Sequence, residues 1–337
     1  MSSKKKLVIR KILGSAEELT TEILRLLVLY PHNDETISKI GLSKEEIAAR
    51  MCEILPGPGG VLTTADDGRR LQGLLHLEPV LPTSAALGAH VWRIGKLISA
   101  PEAPGDMVTA MLEESLAFLE SPVDLITTRI PVTDTSATTG LLRSRFSVVS
   151  GEIVAVARNL KGTRTRRRNS CIVPFEARHI EAAARIACDC RQCNLFVDSD
   201  GLDPKRVCNL SRISLKPYVR ANGQRGLVVL DKQKEVRGFA GFSLDAEFGG
   251  ISAHKLASVD HLCVTADVDG LKLEALLGEC ILNELSKNRA RAAIIRLLVK
   301  ENQPERKMDS VKELGFEMTQ SNLVLHRWLS KPPVQAA

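Results

Sequence analysis

The sequence predicts an α/β protein made of two tandem copies of one unit, each a mixed central sheet flanked by helices. Three observations carry this expectation. The chain has 337 residues, which at about 100–200 residues per domain favours two domains over one. The order of apolar strand-like and helical segments repeats with a period of about half the chain, a pattern that has to be sought first because it decides the architecture. Within each copy two apolar strands are joined by a long helical connection, which predicts parallel pairing through a right-handed crossover.

The elements follow in order. Leu7 to Lys11 alternates like a strand. Each copy then shows helical patterning: Glu17–Leu27 and Lys44–Ile54 in the first, Glu176–Cys190 and Pro204–Arg220 in the second. Ser43 with Glu46 three residues later forms a capping box for the second of these helices. Gly60–Pro79, with Asp67-Gly68 at its centre, reads as a hairpin, and Gly226–Leu244 has the same plan. Gly95–Ala100 precedes a loop containing Gly105 and a helix over Met107–Glu120; His261–Ala266 precedes Gly270 and a helix over Leu271–Lys287. Apolar strands at Asp124–Ile130 and Ala292–Lys300 come next. Each is followed by a short helix, then Arg145-Phe146 or Gly315-Phe316, then a closing strand at Ile153–Ala157 or Leu323–Trp328. The linear division is therefore 1–158, a basic linker over 159–170, 171–330, and a tail over 331–337.

Composition narrows the class. With 44% hydrophobic and 26% charged residues, the chain resembles neither a disordered nor a fibrous protein. The net charge is +6, and five basic residues sit together at Lys161, Arg164, Arg166, Arg167 and Arg168. Because only 4% of residues are aromatic, this run reads as a solvated linker and no nucleic-acid partner is expected. No stretch approaches the roughly 18–20 apolar residues of a membrane span, and a cytoplasmic location without a membrane partner is expected. The eight cysteines are accordingly expected to be reduced thiols. Cys188, Cys190, Cys193 and Cys208 are closely spaced, but the first two fall on an alanine-rich helical stretch and no second ligand pair accompanies them, so no metal site is expected.

Two stretches carry a family resemblance. Ala257–Val264, followed by Gly270 and a long amphipathic helix, and Val311–Phe316, ending in the strand Leu323–Leu329, resemble the central strand, pyrophosphate loop, helix and closing "Leu-Gly-Phe, strand" of the GNAT acetyltransferase superfamily. The match spans Gly226 to Leu329. The fold class is thus two tandem GNAT-like domains, the first degenerate. The layout is similar to the dTDP-fucosamine acetyltransferase type, and Asn194–Asp198 resembles that type's acceptor-site stretch.

The resemblance implies an acetyl-CoA-dependent N-acyltransferase acting on a small amine, an amino sugar among the candidates, with acetyl-CoA as co-substrate and a monomer or homodimer as the working form. The loop and first helical turn at Ala266, Asp267, Val268, Asp269, Gly270, Leu271 and Lys272 would hold the pyrophosphate, since a helix N-terminus offers unpaired amides and partial positive charge. Cys263, Val264 and Ala266 would place the thioester through their backbone groups, Asn302 would add a further contact to the co-substrate, and Phe196 and Asp198 would contact the acceptor. A base for the amine is needed on the central strand. Asp260 and His261 lie there, on opposite faces by the period-two rule, with His261 preferred.

The chain departs from the family in two places. The loop has one glycine and two carboxylates, and Val311 stands where many members carry a tyrosine acid. These departures keep open a non-catalytic GNAT-like binding or scaffolding protein, and the cysteine cluster a redox or metal sensor.

Overall fold

The computed structural model describes residues 7–12, 17–160, 171–189, 196, 202–220, 224–244, 255–265, 270–299 and 304–330. Most of the expected linker and the tail lie outside them.

The first half runs β1 (Val8–Ile12), α1 (Thr20–Leu29), α2 (Asp34–Ile40), α3 (Lys44–Ile54), β2 (Val61–Asp66), β3 (Leu71–Pro79), α4 (Leu81–Leu87), β4 (Val91–Ser99), α5 (Met107–Ala117), β5 (Leu125–Pro131), α6 (Thr135–Arg143) and β6 (Ser147–Arg158). The second half runs β7 (Ile172–Pro174), α7 (Ile180–Asp189), α8 (Pro204–Leu215), α9 (Pro217–Arg220), β8 (Gln224–Leu230), β9 (Val236–Leu244), β10 (Lys255–Val264), α10 (Gly270–Lys287), β11 (Ala290–Val299), α11 (Pro304–Glu313) and β12 (Glu317–Trp328).

Local chemistry sets several of these boundaries. At α3 both halves of the capping box are made: Ser43 Oγ accepts from Glu46 N–H, and the Glu46 carboxylate accepts from Ser43 N–H. The β2–β3 turn is held by Asp67 Oδ1, which accepts from the N–H groups of Arg69 and Arg70, with Gly68 at φ +79° supplying the left-handed residue. The short helices α2 and α4 end on the left-handed glycines Gly41 and Gly88; sequence patterning did not anticipate either helix.

The chain forms two compact units, but not along the linear division at 158 and 171. Unit 1 gathers Met1–Val149 and Ser321–Pro332; unit 2 gathers Ser150–Gln320 and Pro333–Ala337. Within unit 1 the strands lie in the order β1-β2-β3-β4-β5-β12, and within unit 2 in the order β7-β8-β9-β10-β11-β6. The closing strands are thus exchanged: Asn322–Trp328 of β12 run antiparallel to β5, and Gly151–Arg158 of β6 run antiparallel to β11. Leu325 joins the core of unit 1, and Ala155 and Ala157 join that of unit 2. Both closing strands are twelve residues long, so either could satisfy the open edge of either copy, and only the assembled chain selects.

In unit 2 the sheet is covered on both faces. Val229, Ala240 and Leu262 pack with Leu277, Ile281 and Leu285 of α10, whereas their strand neighbours Val228, Phe239 and Cys263 pack with Ala183, Ile186 and Leu215 of α7 and α8. This is the alternation a pleated strand imposes. The α10 stripe recurs at i, i+4 and i+8, and its three side chains are essentially inaccessible. Truncating any one to alanine costs about 2–5 kcal/mol.

The expectation of reduced thiols is overturned at the α7–α8 pair. These helices pack together and bring the Cα atoms of Cys188 and Cys208 to 5.4 Å, where the two form a disulfide. Cys263 is disulfide-bonded as well, while Cys52, Cys171 and Cys280 remain thiols. Cys190 and Cys193 lie outside the described residues.

Candidate functional site

The site in unit 2 begins with a parting of parallel strands. Pairing between β10 and β11 runs from Lys255–Ala290 to Val259–Ile295 and stops there, although β10 continues to Val264 and β11 to Val299. Thr265 N–H donates to Arg237 O. Because backbone groups alternate in direction along an antiparallel pair, the N–H and C=O of Val264 point away from β9, toward the side β11 has left. Cys263 instead turns its backbone to β9, opposite Phe239, and its side chain is buried.

The parting begins at a β-bulge. Val259 pairs with Phe242 and His261 with Gly241, leaving Asp260 as the extra residue on β10. Asp260 and His261 were expected on opposite faces. The bulge breaks the period of two and brings both beside Tyr218. Asp260 Oδ2 accepts hydrogen bonds from Tyr218 Oη at 2.8 Å and from Ser243 Oγ at 2.9 Å. The His261 ring meets Tyr218 edge-on at 5.4 Å and tilts against Phe239 at 5.7 Å. Asp260 is exposed, His261 half-buried and Tyr218 buried. Burial, and then the charge and hydrogen bond of Asp260, push the Tyr218 phenol far above its ordinary value, so it stays protonated.

Tyr218 is a group that pattern reading passed over. It sits on the one-turn helix α9, and no spacing ties it to β10. A second signal lay in Gly241: a Cβ there would come within 2.9–3.1 Å of the Tyr218 ring, so the glycine is what lets the ring lie flat on the sheet.

Gly270 and Leu271 open α10, and Lys272 is exposed in its first turn. Ala266, Asp267, Val268, Asp269, Asn302 and Asp198 lie outside the described residues. Phe196 is buried and so presents little surface to an acceptor. Val311, where a tyrosine acid was sought, is fully buried in the core of unit 2.

Unit 1 repeats the geometry without the chemistry. Pairing between β4 and β5 ends at Ile94 and Thr128, and the β3–β4 register shifts so that Gly95 is the extra residue. Gly95 therefore occupies the place of Asp260. The nearest carboxylate, Glu78, lies over Gly95 but is held by Arg93 through two hydrogen bonds of 2.8 and 2.6 Å. His76 Nε2–H donates to Pro56 O at 2.7 Å, and burial lowers its pKa; since a carbonyl only accepts, the neutral ring carries its proton on Nε2.

Solved structures share this architecture. A GCN5-related N-acetyltransferase from Sphaerobacter thermophilus matches with a TM-score of 0.59 at 12% identity, covering 96% of this chain and 95% of that one. A tandem GNAT protein from the clavulanic acid biosynthesis pathway matches at 0.51 and 12% identity, covering 96% and 99%. The fold is a tandem GNAT fold. A fungal GCN5-related glucosamine N-acetyltransferase region, within a multi-domain GH3 β-N-acetylglucosaminidase, adds a TM-score of 0.54 at 10% identity over 97% of this chain and 38% of that one. No family model and no curated protein matches the sequence. In the tandem GNAT fold the parted strands and the bulge of unit 2 lie at the centre of the sheet, while unit 1 keeps the same frame with Gly95 at its bulge.

Proposed function

We propose that the protein is an acyl-CoA-dependent N-acyltransferase that transfers an acetyl group to a small primary amine by direct attack, with unit 2 as the working copy. The observation that supports this most is the conjunction, on one strand, of an exposed carboxylate fixed by two donors and a backbone N–H aimed into the gap between parted strands. The unpaired amides at the α10 N-terminus suit the co-substrate's pyrophosphate, with Lys272 as its nearest cation in that turn.

In this reading Asp260 takes the proton of the acceptor amine. Its Oδ2 is occupied by Tyr218 and Ser243, which orient the carboxylate and leave Oδ1 to the incoming N–H. The freed amine attacks the thioester carbonyl, and Val264 N–H donates to the developing oxyanion. Collapse of the tetrahedral adduct forms the amide and expels the CoA thiolate, which water protonates because Val311 provides no acid. His261 meets Tyr218 edge-on and walls the acceptor side. Asp260 displaces His261 as the preferred base because it is exposed and anchored. An amino sugar is the first acceptor to try, in keeping with the glucosamine N-acetyltransferase among the structural neighbours. Val311 also favours a second reading, a GNAT-like module that binds without catalysing.

Acetyl-CoA added to the purified protein tests both readings. A ligand specific for the native state at 100 times its Kd adds about 2.7 kcal/mol of stability, seen as a rise in melting temperature. Gly270→Glu places a carboxylate at the α10 N-terminus and removes the shift. Binding without turnover on any amine in a panel selects the non-catalytic module; no shift at millimolar acetyl-CoA sinks the acyltransferase.

A further inference from the structure

A cavity of about 560 Å3 lies in unit 2 between the C-terminal half of α10 and the edge of the sheet. The sequence makes both of its walls. β7 has only three residues and ends at Pro174, opposite Leu227, so β8 outreaches it at Gln224 and Arg225. On α10, Cys280, Asn283, Glu284 and Lys287 recur at i, i+3, i+4 and i+7 and form one stripe of the helix along the cavity. Ile172, Leu227 and Phe242 line it from the sheet. Arg225 lies opposite Phe242 in the β8–β9 ladder and so projects from the same face. Asp260 and His261 do not line the cavity, but Tyr218 does.

Two of the charged groups cancel, because Lys287 Nζ donates to Glu284 Oε1 at 2.5 Å. Arg225 is exposed and, among the described residues, meets no carboxylate. The cavity thus offers one guanidinium beside apolar and aromatic walls, and this selects a ligand by charge and by shape. A planar guanidinium pairs a carboxylate through two parallel hydrogen bonds, and one cation balances one negative charge. A phosphate monoester, at roughly −1.5 to −2 near neutral pH, leaves charge unbalanced, and an ammonium group meets Arg225 with like charge. We propose that this cavity is a second ligand site, apart from the gap between the parted strands, which takes a monocarboxylate with an aromatic body, and that its occupancy is felt at Asp260 through Tyr218. Tyr218 is the link because it lines the cavity and also donates to Asp260 Oδ2. A ring packed against the phenol alters the setting of the carboxylate it holds. Binding here stands apart from the acyltransferase reading, and only an effect on turnover rests on it.

Titration calorimetry with naphthylacetate, its neutral amide and acetate, against the full chain and Arg225→Gln, tests the site. Expected are binding of naphthylacetate, binding at least about tenfold weaker for the amide and for the variant, and none for acetate. The amide makes the same comparison in the unaltered chain, so the result does not hang on how the variant folds. Cys280 reports where the ligand sits. Its thiol is held above its ordinary pKa by burial, so iodoacetamide is used at mildly alkaline pH and the labelled peptides are read by mass spectrometry; naphthylacetate should slow labelling at Cys280 and leave Cys171 unchanged. The link is read by fluorine NMR of chain labelled with fluorotyrosine, whose two signals belong to Tyr30 and Tyr218 and are assigned with Tyr218→Phe. The Tyr218 signal should move on binding and the Tyr30 signal should not. Equal affinity for acid and amide, an unprotected Cys280, or no binding at millimolar naphthylacetate overturns the site, and binding with an unmoved Tyr218 signal overturns the link. Loss of the acetyl-CoA reading with these results intact leaves the site standing.

Discussion

Tyr218 Oη donates to Asp260 Oδ2 at 2.8 Å, and this bond ties the one-turn helix α9 to the bulge of the central strand. Asp260→Asn retains the shape of the site but removes the base, and should lower kcat by about 10²–10⁴-fold with a small change in melting temperature. Tyr218→Phe leaves the carboxylate and loses one orienting bond worth about 1 kcal/mol, so its effect on kcat should be about fivefold. Steady-state acetylation assays on the two variants separate the roles; equal losses would remove the distinction between base and positioning residue.

The chain holds two tyrosines, Tyr30 and Tyr218, and both phenols are pushed up, first by burial and then by Asp134 and Asp260. Raised folded values mean that stability is fully present below pH 10.0, the ordinary tyrosine value, and is lost at higher pH as the unfolded chain ionises and the native one does not. Ultraviolet titration of the folded protein should therefore show no tyrosinate near pH 11 until unfolding, when both appear together. A tyrosinate signal in still-folded protein would show one phenol to be accessible.

His326 of β12 is buried, and burial with the nearby Arg129 lowers its pKa from 6.5 to about 4. A depressed histidine stabilises the fold only above the unfolded value, because below 6.5 the unfolded chain gains a proton that the native state refuses. Stability should decline as pH falls from 6.5 toward 4, by at most about 3.5 kcal/mol from this residue at roughly 1.4 kcal/mol per unit. His326→Gln should flatten the pH dependence of denaturant midpoints over that range. His76 and His179 shift in the same direction and leave a residual slope.

Gly315 and Arg145 occupy equivalent left-handed positions, at φ +83° and +65°, each followed by a buried phenylalanine. A Cβ at Gly315 meets nothing within 4 Å, so Gly315→Ala should cost only the backbone term of about 1–2 kcal/mol. Gly278→Ala is different in kind, since its Cβ would strike the Leu314 side chain where α10 meets α11, and should cost more. Chemical denaturation of the two variants checks the order.

The Cys188–Cys208 disulfide closes a separation of 20 residues. Loop-closure entropy for that span is worth about 3 kcal/mol, so the Cys188→Ser/Cys208→Ser variant should melt several degrees lower. A dithiol reductant should lower the wild type at least as far, because Cys263 is also disulfide-bonded.

The sequence by itself determined the repeat, the class of each long element and the position of the central strand. Those depend on short-range periodicity and capping, as at Ser43 and Glu46, where four consecutive residues contain the whole cause. Tertiary structure decided the rest. The bulge at Asp260 cancels the period-two rule because one inserted residue turns every later side chain over. Tyr218 reaches Asp260 across 42 positions, and Gly241 admits its ring, a complementarity that exists only once β9 and β10 are paired. The destinations of β6 and β12 were equally hidden, since two strands of equal length fit either open edge, and the choice is made by the packing of the whole chain.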